Sequence, residues 1–105
     1  MLQDFDYYEL HEAFAAQVLC TLKAWESAEF CRDRLGLSAP LGTLDRARLN
    51  VKGSSVAVGH PFADTGARIV ATLAKLLAND PASRRGLISV CTAGGMGVTA
   101  ILERA

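Results

Sequence analysis

The sequence predicts an α/β fold, with helices layered on a mixed, mostly parallel sheet that ends in a β-hairpin. Three observations carry this prediction. Short apolar and aromatic runs alternate with stretches in which apolar residues recur three or four positions apart. The last such run is followed by a glycine turn and a second, returning apolar run. Half of the 105 residues are hydrophobic, which suits one domain built around a single core.

The elements follow in chain order. The aromatic run from Phe5 to Leu10 reads as a strand. From Glu12 to Arg34 the pattern is helical, with Phe14, Val18, Leu22 and Trp25 on one stripe and Gly36 as the stop. Leu37 to Arg48, with Pro40 and Gly42, is a surface loop, and Leu49 to Lys52 starts a second strand. A stretch of small residues from Gly53 leads through Gly59-His60-Pro61 into a helix. Its stripe is Ile69, Leu73, Leu76 and Leu77, and it stops near Asn79-Asp80-Pro81. Gly86 opens a buried strand over Leu87 to Cys91, Gly94 to Gly97 turn the chain, and Val98 to Leu102 returns.

Composition excludes several function classes. Eleven Lys and Arg balance eleven Asp and Glu, so no basic excess exists to neutralise a nucleic-acid backbone. No apolar run approaches the roughly 20 residues of a membrane span. The opening Met1-Leu2-Gln3-Asp4 has neither the basic nor the apolar region of a secretion signal. Three cysteines at these spacings match no zinc or redox template, and the two histidines form no ligand cluster, so no metal and no cofactor are expected. A reduced, cytoplasmic protein is the expectation.

Three segments are candidates for chemistry, each with a plain structural alternative. His11 opens His11-Glu12-Ala13-Phe14 at the end of a strand, where α/β sheets bind ligands, or it simply hydrogen-bonds at a helix start. His60 precedes a helix N-terminus, a setting for a general base beside anion-favouring N–H groups, or it sits incidentally in a turn. Cys91 ends a strand before Thr92-Ala93-Gly94-Gly95-Met96-Gly97, where turn N–H groups can converge on an oxyanion, or it is a buried packing thiol. Cys20 and Cys31, inside the first helical pattern, read as surface or packing thiols.

Together the three segments resemble the thiolase family, in the family's order and over nearly the whole chain, from about Phe5 to Glu103. His11-Glu12-Ala13-Phe14-Ala15 is similar to its Asn-Glu-Ala-Phe-Ala box. Gly53 to Pro61, continued by Thr65-Gly66-Ala67-Arg68, is similar to its Gly-His-Pro box. Cys91 to Gly97 is similar to its C-terminal Cys-x-Gly-Gly-Gly box. The resemblance implies reversible Claisen chemistry on coenzyme A thioesters: thiolysis of a 3-ketoacyl-CoA, as in fatty-acid β-oxidation, or the reverse condensation. It implies His60 as activator of a nucleophilic cysteine and Cys91 as acid/base at the substrate α-carbon. Ala93, with Gly94, would supply backbone N–H to an oxyanion hole, and Ala13 and Phe14 would line the substrate site. The acyl-CoA is substrate rather than cofactor.

Departures from the family pattern sharpen these expectations. His11 replaces the asparagine that positions a water beside the oxyanion, as in the branch containing the β-subunit of the fatty-acid oxidation trifunctional complex. Ala93 replaces a glycine of the last box, keeping the N–H while restricting positive φ. The family's N-terminal half, which carries the nucleophilic cysteine, has no counterpart here, nor does the first strand of the C-terminal half, which lies mid-sheet in the family. Residues 1–105 are thus expected to be a thiolase C-terminal domain incomplete on its N-terminal side and inactive alone. It would pair with the missing half or with itself, and possibly with a β-oxidation α-subunit. Without the mid-sheet strand, either the sheet closes differently or another chain fills the gap. A competing expectation is a non-catalytic thiolase-like module that binds acyl-CoA or serves assembly.

Overall fold

The computed structural model describes residues Met1–Ala105. Seven elements are joined in the order β1 (Tyr7–Leu10), α1 (Ala15–Glu26), α2 (Ala28–Leu35), α3 (Ser55–Val58), α4 (Ala63–Asn79), β2 (Arg85–Thr92) and β3 (Met96–Glu103). The sheet has the order β1-β2-β3, with β1 and β2 parallel and β2 and β3 antiparallel. It is mixed as expected, with one pairing of each kind.

Strand periodicity divides the core between the two sheet faces. On β1, Tyr8 and Leu10 point into a cluster with Leu2, Val18, Leu22 and Leu44, which seats α1. Tyr7 and, on β2, Ile88 and Val90 point to the other face, against Ile69, Leu73 and Leu77 of α4. Those three residues recur every fourth position, so one stripe of α4 lies on the sheet. Burying each such side chain contributes about 1.5–3 kcal/mol. Gly86 lies directly beneath Leu73: a β-carbon added there would collide with both of that leucine's methyl groups. The missing side chain lets the helix backbone approach the sheet.

The long first helix divides in two. Ser27 takes an extended conformation (φ −82°, ψ 114°), its N–H closes α1 on Ala24 O, and its Oγ accepts from Phe30 N–H at 3.1 Å to cap α2. A capping serine therefore overrides a continuous apolar pattern. Gly36, in the left-handed conformation (φ 67°), ends α2 as the sequence indicates. Leu49 to Lys52 does not form a strand. It makes one parallel bridge, Leu49 with Tyr8, and Asn50 then adopts φ 48° and turns the chain away. The small-residue stretch also holds the short helix α3.

The first two strands in chain order are direct neighbours. β1 pairs directly with β2, Tyr7 opposite Gly86 through Leu10 opposite Ser89. The outer edge of β1 is occupied by the segment that follows Leu49. Asn50 N–H donates to Tyr8 O (2.9 Å), Leu10 N–H donates to Asn50 Oδ1 (2.8 Å), and Asn50 Nδ2 and Ser54 Oγ both donate to Leu10 O (3.0 Å each). One asparagine side chain thereby imitates a strand neighbour, and the edge carbonyls and N–H stay satisfied.

Candidate active site

The site is built where β1 ends. His11 follows the strand and keeps its register, donating its N–H to Ser89 O at 2.8 Å. Its neighbour Glu12 turns back and ties down the loop: Oε1 accepts from Asn50 Nδ2 and Oε2 from Val56 N–H in the first turn of α3, each at 3.0 Å. This fixes α3, and α3 presents Ser55, whose Oγ lies 2.8 Å from His11 Nδ1. His11 is 4% exposed. Burial, the nearby His60 and the Arg68 charge hold its pKa below the usual histidine range, against the opposing pull of Glu12. These effects favour the uncharged ring.

His60 reaches the same place from the other side. Gly59 ends α3 at φ 94°, a conformation open to glycine, and the chain passes through Pro61 and Phe62 into α4. Phe62 sits at φ 47°, ψ −97°, rare for a side chain of its bulk, and is 83% exposed. Thr65, buried in the first turn of α4, holds His60 Nδ1 with its Oγ1 at 2.7 Å, which leaves Nε2 for chemistry. The two imidazoles stand 4.3 Å apart between centroids, and the Phe62 ring packs 5.0 Å from His60.

Cys91 is half-buried near the end of β2, opposite Gly97 of β3. With Leu10, His11, Gln17, Val18, Thr21 and Ser89 it lines a small cavity of about 30 Å³. The hairpin turns at Ala93-Gly94-Gly95, and the positive φ values fall on Gly94 (86°) and Gly95 (75°), not on Ala93. The alanine therefore fits without strain. Ala93 and Gly94 are both exposed at the hairpin tip.

The structure thus places His11 against His60, and His11 on one cavity with Cys91. The two imidazoles are in direct contact, while Cys91 meets His11 only as a fellow lining residue of that cavity. Ala13 and Phe14 lie on the outer surface, Phe14 75% exposed, where the Phe14 carbonyl accepts the Gln17 and Val18 N–H groups of α1. Cys20 is exposed on α1, and Cys31 is fully buried with Sγ facing the Ala24 and Trp25 carbonyls, matching their surface and packing assignments. Sequence reasoning missed the supporting set: Asn50, Ser55, Thr65 and Arg68, whose Nη2 donates to Ser55 Oγ at 3.0 Å. It also missed Glu9. A carboxylate between Tyr8 and Leu10 in an apolar run was the available signal. Glu9 is fully buried on β1, and burial pushes its pKa up to about 7, with the Arg68 charge opposing and Glu12 adding to the rise. No helix is long and apolar enough to cross a membrane.

Comparisons with known proteins point to one family. The profile of a family described as "Thiolase, C-terminal domain" matches residues 1–104. The chain is 48% identical over 103 residues to a 3-ketoacyl-CoA thiolase of Pectobacterium atrosepticum, covering 97% of this chain and 23% of the relative. It is likewise 48% identical over 103 residues, with the same coverage, to a 3-ketoacyl-CoA thiolase of Aeromonas salmonicida. Among solved structures, an acetyl-CoA acetyltransferase of Bacillus anthracis superposes with a TM-score of 0.72 at 38% identity, over 95% of this chain and 21% of that one. One from Syntrophomonas wolfei gives 0.68 at 32% identity, over 93% and 22%. The chain spans about a quarter of the length of the relatives it matches.

Proposed function

The chain belongs to the thiolase family, of which it carries the C-terminal domain, and we propose on that basis that it supplies the C-terminal share of a 3-ketoacyl-CoA thiolase active site. The reaction is the thiolytic cleavage of a 3-ketoacyl-CoA by CoA, giving acetyl-CoA and a shortened acyl-CoA, or its reverse. The observation that carries the reading is the approach of the His60 and His11 imidazoles to 4.3 Å at the end of β1, with Cys91 on a small cavity that His11 also lines.

In this reading His60 Nε2 accepts the proton of a nucleophilic cysteine on a thiolase N-terminal half, and the thiolate attacks the 3-keto carbon. The Cα–Cβ bond breaks, the electron pair moves to the α-carbon, and Cys91 delivers a proton there. His11 holds a water against the thioester oxygen, and the Ala93 N–H, with Gly94, forms the second oxyanion site. Ala13 and Phe14 contact substrate. The partner half lies on the same polypeptide or another; without it, residues 1–105 turn nothing over and self-associate or await that partner. A β-oxidation α-subunit and a cytoplasmic setting complete the proposal.

The test is complementation. The chain mixed with a thiolase N-terminal half should cleave acetoacetyl-CoA or a longer 3-ketoacyl-CoA, and His60→Ala or Cys91→Ala should lower the rate at least 100-fold. Cleavage by the unaccompanied chain, or a mixture indifferent to both substitutions, overturns the proposal. Binding of acyl-CoA with no turnover by the mixture would point to a non-catalytic module.

A further inference from the structure

The chain has two non-glycine residues at positive φ, Asn50 (48°) and Phe62 (47°). Asparagine tolerates that region, and the Asn50 side chain gains three hydrogen bonds there. Phe62 has no such compensation. Its ψ of −97° lies outside the left-handed basin, and its ring is 83% exposed, so burial does not offset the strain. The surroundings hold the conformation in place. Phe62 O accepts the Thr65 N–H at 3.1 Å, and the same threonine grips His60 Nδ1 with its Oγ1 at 2.7 Å. One residue thereby fixes both the backbone of Phe62 and the ring of His60.

The strained backbone sets an aromatic ring at one spot. Its centroid is 5.0 Å from that of His60, with the planes 50° apart. His60 also meets His11 at 4.3 Å, while His11 and Phe62 make no ring contact with each other. The three rings therefore form a row with His60 in the middle. In the proposed reaction the first two have stations along the substrate. His11 serves the thioester oxygen at C1, and His60 serves the cysteine that attacks C3. Carbons from C4 onward leave C3 on the side away from the thioester, which is the Phe62 end of the row. An acyl tail is apolar, and it would cover the exposed aromatic face there.

We propose that Phe62 is a specificity-determining residue, whose exposed ring forms a wall for the acyl chain of a 3-ketoacyl-CoA beyond C3. The proposal rests on the function given above and deepens it by naming substrates with an extended acyl tail. A second exposed aromatic makes a useful contrast. Phe14 is 75% exposed but makes no ring contact with either histidine, so of the two only Phe62 stands against a candidate catalytic ring. Strain that no burial offsets, at a side chain touching such a ring, is the pattern of a residue kept for a ligand.

The test uses the chain mixed with a thiolase N-terminal half, assayed on acetoacetyl-CoA and on 3-ketodecanoyl-CoA. Phe62→Ala should lower the ratio of kcat/KM for the longer substrate over the shorter by about tenfold, and Phe62→Leu by less. The chain holds two histidines, so both rings can be followed by NMR after labelling histidine with nitrogen-15. Should alanine disturb the His11 ring signals, Phe62→Leu is read in its place. An unchanged ratio overturns the proposal. So does an equal fall on both substrates, which would make Phe62 a structural or partner contact. A second measurement needs no turnover. With decanoyl-CoA added to saturation, the Phe62 ring protons, assigned by their loss in Phe62→Leu, should show nuclear Overhauser contacts to the acyl methylenes, and their absence is equally fatal. Such contacts in a mixture that cleaves no 3-ketoacyl-CoA would count against the proposed function and leave this acyl-chain wall standing.

Discussion

The two ends of the site are held in opposite ways. At the His11 end, the bonds that matter join residues 38 to 44 positions apart: Asn50 to Leu10 and Glu12, Ser54 to Leu10, Ser55 to His11, Val56 to Glu12. At the Cys91 end, an eight-pair antiparallel register runs into a three-residue turn, all within residues 85–103. The first end is buried and polar, the second exposed and local. A distant network is specific but fails as a unit, since each member supports the next. A hairpin tip tolerates change because its ladder survives the loss of one turn residue.

That contrast predicts a graded series. Asn50→Ala removes three side-chain hydrogen bonds from the edge of β1 and should destabilise the chain by about 3–4 kcal/mol, at about 1–3 per stranded buried group. Urea unfolding reads this directly, and a loss below about 1 kcal/mol would mean that the network is replaceable.

Next in size is the pH dependence of Glu9. Its folded pKa of about 7 lies above the ordinary 4.5, so between these values the folded chain keeps a proton that the unfolded chain has released. Stability contributed by the protonated form therefore falls as pH rises from 4.5 to 7 and is level above. At 1.36 kcal/mol per unit, the fall is on the order of 3 kcal/mol. His11 works the other way: its depressed pKa makes stability rise as pH climbs towards 6.5. Comparing Glu9→Gln with the wild type from pH 5 to 8 isolates the Glu9 contribution. Equal slopes would show that the carboxylate is hydrated in solution.

A smaller effect belongs to the hairpin. Gly94→Ala places a side chain at φ 86° and should cost about 1–2 kcal/mol while leaving both histidine spectra unchanged. A shift in His11 would join the two ends into one cooperative unit. The smallest expectation concerns reactivity alone. A thiol reagent should modify exposed Cys20 first, Cys91 more slowly, and Cys31 only on unfolding.

The sequence made the local half of this molecule readable. Gly36 as a helix stop, the α4 stripe and the closing hairpin each rest on residues near one another in the chain. The three family boxes pointed to His11, His60 and Cys91, although pattern alone could not show that the two imidazoles pack against each other. The missing parts are those where one side chain outweighs a pattern. Ser27 caps a new helix inside an apolar stripe, and Asn50 leaves a nascent strand after one bridge. Its amide then serves a strand forty residues earlier. Periodicity carries no trace of such bonds, because only the folded chain brings their partners together.

Gly86 gives the molecule a fulcrum. Leu73 of α4 rests on its bare backbone near the middle of the helix, and Thr65, which grips His60, lies two turns away at the helix end. Any atom wedged under Leu73 would lift α4 and swing its N-terminus through an arc. The separation of the two imidazoles is therefore geared to the thickness of the sheet at a residue that never touches either of them.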